Sequence, residues 1–128
     1  MATGMNEPTI ETLARLFDAF NAHDLDSVMC FFVDDCVLEM PRGPGPWRRR
    51  LEGSDRVREG LAGRFAGIAD VHYGEHRQWV SGSRGRSEWL LTGTTTEGER
   101  IELCGCDLFE FRDDKIARKD SYWKIVEA

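Results

Sequence analysis

LCGCDLFEF, residues 103–111, decides how the second half of this chain is read. Side chains of a strand alternate between two faces, so Leu103, Gly105, Asp107, Phe109 and Phe111 share one face. Cys104, Cys106, Leu108 and Glu110 share the other. A carboxylate in the middle of an apolar face loses water, and left uncompensated it costs several kcal/mol. Asp107 is therefore protonated, paired with a cation, or turned toward a wet cavity. Each choice implies a different chemistry.

The same period of two extends on both sides. VHYGEHRQWV (71–80), SEWLLTGTTT (87–96), ERIELCGCDLFEF (99–111) and KIARKDSYWKIV (115–126) predict four long strands. The short turns Ser81-Gly82-Ser83, Glu97-Gly98 and Asp113-Asp114 between them are hairpin signals. The first half has helical spacing instead. Ile10, Leu13, Leu16, Phe17 and Phe20 form one apolar stripe, with Asn6 or Thr9 as cap and Pro8 suited to the first turn. Asp24 or its neighbour caps a second short helix, which turns Leu25, Val28, Met29 and Phe32 inward and ends at Asp34-Asp35. CVLEM (36–40) is a short strand, and Ser54 caps a third helix carrying Val57, Leu61 and Phe65. Between them, PRGPGPWRRRLEG (41–53) holds three of the four prolines and reads as a loop at a pocket rim, with Trp47 placed to close it. The expectation is one domain over residues 1–128: three N-terminal helices packed on a curved antiparallel sheet, an α+β plan.

Composition narrows the function classes. With 41% hydrophobic and 31% charged residues the chain has the profile of a soluble globule. A net charge of −6 argues against a nucleic-acid partner, which calls for a basic face. Arg48-Arg49-Arg50 is the one basic run and reads as solvated loop. The cysteines, Cys30, Cys36, Cys104 and Cys106, lack the C-x-x-C spacing of zinc or redox sites and read as free thiols of a reducing cytoplasm. No signal peptide is visible in MATGMNEP, and no apolar run approaches a membrane span. His72 and His76 sit four residues apart on one strand face, roughly 13 Å, too far for a shared metal. Neither a metal nor a cofactor is implied.

The order of elements, with NAHDLDSVMCFFVDDCVLEMP (21–41) and the hairpin CDLFEFRDDKI (106–116), resembles the nuclear transport factor 2-like superfamily, on its SnoaL-like and ketosteroid-isomerase-like branch. The resemblance implies a cone-shaped α+β barrel around a pocket for a small apolar or ring-containing molecule, and a homodimer through the half-apolar outer sheet face. It also implies functional positions. Asp107 matches an aspartic acid that donates a hydrogen bond to a developing enolate in ketosteroid isomerases. Their general base falls here on Met40, before Pro41, and their helix tyrosine on Leu16. SnoaL-like cyclases carry an aspartate where Ser121 stands. The Arg-x-Asp of the related epoxide hydrolases is replaced by Glu88 and Leu90, which excludes that activity.

The partner of Asp107 depends on the last hairpin. A two-residue turn at Asp113-Asp114 places Asp107 opposite Asp120, as a carboxylate pair of raised pKa. A three-residue turn with a bulge places it opposite Lys119, with Ser121 and Trp123 turned inward and Asp120 outward. The resemblance favours the second. Candidate catalytic residues are thus Asp107 and Asp120, and candidate substrate-binding residues are Leu16, Met40, Trp89, Phe109, Ser121 and Trp123. Two functions stay open. One is a cofactor-independent isomerase, cyclase or dehydratase working next to a carbonyl, with Asp107 as pocket acid. The other is a binding or dimerisation module that lost the base, as Met40 and Leu16 suggest.

Overall fold

The computed structural model describes residues 7–46 and 48–127, so Trp47 lies outside the described residues. The chain runs α1 (Ile10–Asn21), α2 (Leu25–Met29), β1 (Phe32–Glu39), β2 (Arg50–Glu52), α3 (Ser54–Gly67), β3 (His72–Ser81), β4 (Arg84–Thr94), β5 (Arg100–Arg112) and β6 (Lys115–Trp123). Helices lie against one six-stranded sheet of order β2-β1-β6-β5-β4-β3. This is an α+β fold.

α1 starts where its side chains can satisfy its free amides. The Thr9 hydroxyl accepts from the Thr12 amide, and the Thr12 hydroxyl accepts from the Thr9 amide. Its apolar stripe, Leu13, Leu16, Phe17 and Phe20, is almost wholly buried. At the far end Asn21 clamps the helix to β3: its Nδ2 donates to the Tyr73 carbonyl at 3.0 Å, and its Oδ1 accepts from the Tyr73 amide at 2.7 Å.

Five expectations need correction. Asp34 and Asp35 do not end a helix; they are exposed residues inside β1, where the pairing with β6 shifts between Phe32 and Val37. The β-branched and aromatic residues around them carry the strand through the irregularity, and Arg112 binds Asp35 at 2.8 Å from the next turn. The sheet is mixed, because β1 runs parallel to β6. A long excursion through α3 and four strands separates the two in sequence, which allows a parallel pairing that no hairpin could make. The loop over 41–53 contains a short edge strand, β2, in which Arg50 bonds to Glu52. α3 is capped by Gly53, with Ser54 as its first residue and no side-chain cap. The sheet also stays open, with β2 and β3 as its edges, instead of closing as a barrel.

Two bulges set which side chains face inward. In β3 the register shifts between Gly74 and Arg77, with Glu75 in a left-handed conformation at φ 51. His72 is thereby exposed while His76 turns inward onto Phe17, 5.6 Å between ring centres. The two histidines do not share a face. In β6 the register shifts at Ala117, between the pairs Phe111–Ile116 and Glu110–Arg118.

Gly105 faces inward between the Trp89 ring and the backbone of Tyr122. A Cβ there would lie 2.5 Å from the Trp89 ring and 2.5 Å from the Tyr122 carbonyl oxygen. Gly63 on α3 has open space around it. Gly105→Ala is therefore expected to lower stability by about 1–3 kcal/mol from overpacking. Gly63→Ala should raise it by roughly 1 kcal/mol, since alanine costs less backbone entropy in a helix. Urea denaturation of both variants checks the pair, and equal signs would contradict the packing described.

Candidate functional site

The last hairpin combines features of both expected registers. Its turn is the two-residue Asp113–Asp114, with Asp113 left-handed at φ 57. The bulge at Ala117 then moves β6 one residue further along. Asp107 consequently lies opposite Ser121, neither Asp120 nor Lys119. Lys119, Ser121 and Trp123 face inward, and Asp120 faces the other side of the sheet.

Asp107 is fully buried, and its carboxylate is completely engaged. Trp89 Nε1 donates to Oδ2 at 3.0 Å, Lys119 Nζ donates to Oδ1 at 3.0 Å, and the Ser121 hydroxyl donates to Oδ1. Lys119 Nζ also donates to Ser121 Oγ at 2.9 Å and stands 5.5 Å from the centre of the Phe20 ring. Lys119 is only 5% exposed, so this is a buried ion pair whose remaining lone pairs are filled by neutral donors. Such pairing is the condition under which a buried charge is tolerated. The carboxylate in the apolar face is thus held by a cation.

The polar stripe runs further across the sheet. Gln78, Ser87, Asp107 and Ser121 are successive partners on β3, β4, β5 and β6. Gln78 Nε2 lies 2.9 Å from His76 Nδ1. The fully buried Ser87 hydroxyl has no hydrogen-bond partner among the described residues.

A narrow crevice opens between α3, the start of the 40–49 loop and the inner face of the sheet. Leu38, Met40, Pro41, Gly60, Leu61, Arg64, Tyr73, Trp89, Lys119, Ser121 and Trp123 line it, and its free volume is about 20 Å³. That is space for roughly one water. Of the expected residues, Met40, Trp89, Ser121 and Trp123 line the crevice. Asp107 is absent from this lining; it accepts from the Lys119 and Ser121 groups that are present. Leu16 and Phe109 are core residues, 0% and 1% exposed, and neither lines the crevice.

Asp120 is not brought to Asp107. On the opposite face Arg118 binds Glu39 at 2.7 Å, Glu110 at 3.0 Å and Asp120 at 3.2 Å. Burial raises the Asp120 carboxyl above its ordinary pKa, and Glu39 adds to the shift against Arg118. On that outer face a larger hollow of about 680 Å³ is lined by Leu90, Cys104, Cys106 and Tyr122 among others. The four cysteines are free thiols. No group of three or more potential ligand side chains among the described residues could hold a metal ion. No helix among them is long and apolar enough to cross a membrane.

Arg64 and Tyr73 are crevice residues that sequence patterning did not single out. Arg64 follows Leu61 by one helical turn, so the helix period could have located it. Its guanidinium lies 4.6 Å from the centre of the Trp123 ring. Tyr73 packs edge-on to Trp89 at 5.0 Å, and burial pushes its phenol up to about 12, against the nearby Arg64.

The buried pair and the buried phenol each generate an expected outcome. Lys119→Met leaves a buried carboxylate without its cation and should cost about 3–5 kcal/mol, whereas Asp107→Leu with Lys119→Met should recover much of that loss. A chemical-denaturation double-mutant cycle measures the coupling, and additive losses would refute the pairing. Tyr73 binds its proton more tightly folded than unfolded, so its contribution is intact below about pH 10. It is lost as pH rises toward about 12. The fall should amount to about 3 kcal/mol and be absent in Tyr73→Phe, read as the difference between the two proteins' stability-against-pH curves.

Comparison with known proteins accords with this architecture. The family model of the SnoaL-like domain matches residues 13–119. No curated protein sequence matches the chain significantly. Among solved structures, a candidate polyketide cyclase from Pseudomonas putida superposes with a TM-score of 0.82 at 19% identity, covering 94% of this chain and 94% of its own. A nuclear transport factor 2-like protein of unknown function from Burkholderia pseudomallei gives 0.79 at 19% identity, over 89% and 88% of the two chains. TerC, crystallised with polyporic acid, gives 0.77 at 18% identity over 90% of each chain. At these identities the structural likeness is one of fold, and the family rests on the match over residues 13–119. The chain belongs to the SnoaL-like domain family.

Proposed function

We propose that this chain binds a small ring-containing molecule in the crevice, presenting a carbonyl or anionic oxygen of the ligand to the free proton of Lys119, beside the Ser121 hydroxyl. The observation that carries the proposal is the buried Lys119 ammonium on the crevice wall, oriented from behind by Asp107. Trp89 and Trp123 flank these donors and suit a flat ring. Asp107 acts here as a positioning residue: it fixes the cation and the hydroxyl that meet the ligand. TerC, of the same fold, was crystallised with polyporic acid, a precedent for ligand binding in such a protein.

A catalytic reading of the isomerase, cyclase or dehydratase type has one supporting observation. The Lys119 ammonium, with one proton left free, could stabilise the oxyanion of an enolate. Removing a proton next to that carbonyl also requires a base within hydrogen-bond reach. The described residues lining the crevice include no carboxylate and no imidazole, and Met40 stands where the resemblance places the base. Asp107 is committed to three donors, and Asp120 lies on the far face. Binding without proton abstraction is therefore the better-supported function. The proposal includes a homodimer through the outer sheet face, where Trp79, Leu108 and Tyr122 are 40%, 40% and 36% exposed.

2-Acetylnaphthalene, a neutral aromatic ketone, separates these functions. Titration should shift the indole N–H signals of Trp89 and Trp123 in NMR spectra. Ser121→Ala removes the acceptor that holds Lys119 in place and should weaken binding about three- to tenfold. Exchange of the ketone's α-protons in heavy water should proceed at the buffer rate. Accelerated exchange would establish the catalytic reading in place of simple binding, and unmoved indole signals would remove the crevice as a ligand site.

A further inference from the structure

The crevice carries an unbalanced charge. Among its lining residues Arg64 and Lys119 are cationic, and the Asp107 carboxylate behind Lys119 is the one anion bonded to them. The local count is thus two positive charges against one negative. Lys119 Nζ donates to Asp107 and Ser121, and its third proton has no acceptor among the described residues. Arg64 has the Trp123 ring face as its neighbour, 4.6 Å away, with no salt bridge to a carboxylate among the described residues. The whole chain carries −6, so nothing in its overall field draws anions in. Any attraction for an anion arises at this spot.

Space makes the same residue decisive. With about 20 Å³ free, a ring can enter only if a wall moves. Leu38, Leu61, Tyr73, Trp89, Lys119 and Ser121 are buried and packed, while Met40, Arg64 and Trp123 are partly exposed. Arg64 is a long side chain in the last turn of α3, held at the crevice by the Trp123 ring face and the neighbouring Tyr73 phenol, contacts that an ion pair can replace. Its guanidinium can leave Trp123, open the crevice and bind a carboxylate with two parallel N–H donors.

Resting on the crevice as a ligand site, we propose that it selects monoanionic aromatic ligands, a ring bearing one carboxylate or enolate, and that Arg64 sets this selectivity. The ring takes the place of the guanidinium against Trp123. The anionic oxygen is shared between Arg64 at the mouth and the Lys119–Ser121 pair at the wall, and a single negative charge neutralises the site. A dianion or a cation would leave it unbalanced.

The test uses three probes of one shape: 1-naphthoate, neutral 1-naphthamide and the 1-naphthylmethylammonium cation, titrated calorimetrically into the protein at one fixed salt concentration. Naphthoate is expected to bind about tenfold or more tightly than naphthamide, the value of a charge-assisted contact, with the cation weakest. Arg64→Gln should bring naphthoate and naphthamide to near parity while naphthamide binding persists, and Arg64→Lys should keep part of the preference. Equal affinities for naphthoate and naphthamide in the wild type would overturn the selectivity and leave the crevice as a neutral site. An unchanged preference in Arg64→Gln would overturn the role of Arg64. If none of the three probes binds and 2-acetylnaphthalene also leaves the indole signals unmoved, the ligand site itself falls, and the selectivity with it.

Discussion

A buried carboxylate must find its compensation inside the protein, and Asp107 finds it in Lys119. The lysine is one strand away and two residues off the direct partner, so the contact is diagonal and depends on the exact offset of β6. The bulge at Ala117 supplies that offset. Without it the strand would continue in the register of its turn, and Asp120 would face Asp107. Two carboxylates would then share a dry site with Arg118, whose single charge cannot balance both. One extra residue in one strand therefore decides whether the inner face carries a balanced ion pair or two carboxylates against one cation. It also sends Arg118 and Asp120 to the opposite face, where they form a charge cluster with Glu39 and Glu110.

Much of the fold is legible because it rests on local rules. The stripe Leu13, Leu16, Phe17 and Phe20 follows the helix period, Thr9 and Asp24 are capping residues with their side chains bonded to the expected amides, and β4 and β5 pair with each other in unbroken alternation, as their sequences do. The misplaced boundary at Asp34 and Asp35 shows where local rules stop. A pair of aspartates ordinarily breaks a strand, but here both point to water at an irregular pairing and Arg112 secures one of them. The parallel β1–β6 pairing is likewise invisible locally, since it joins segments at opposite ends of the chain.

The site is harder to read than the fold because it depends on bulges. Alternation places His72 and His76 together and leaves two registers for Asp107. Glu75 and Ala117, each absorbing one extra residue, change both outcomes. Neither residue carries a sequence signal for a bulge. Lys119, Ser121 and Trp123 could be placed on the inner face in one of the two registers, but their grouping around Asp107 could not. Arg64 escaped for a different reason. A lone arginine on a weakly amphipathic helix looks solvated until the partner ring beneath it is known.

Position 40 links the electrostatics to the family. The resemblance assigns a carboxylate base to the residue before Pro41. A negative charge there would balance Arg64, so that with the Asp107–Lys119 pair the crevice would be neutral and suited to an uncharged carbonyl compound whose proton the base removes. Met40 takes away that charge as well as the base. In the proposed reading, methionine here offers no base for proton abstraction and leaves Arg64 without a carboxylate partner, and a cation over an aromatic face is a weaker arrangement than a cation paired with an anion. The missing base and the proposed anion preference are then two consequences of one side chain. The narrowness of the crevice follows as well: methionine, flexible and uncharged, can pack into space that a hydrated carboxylate would have kept open.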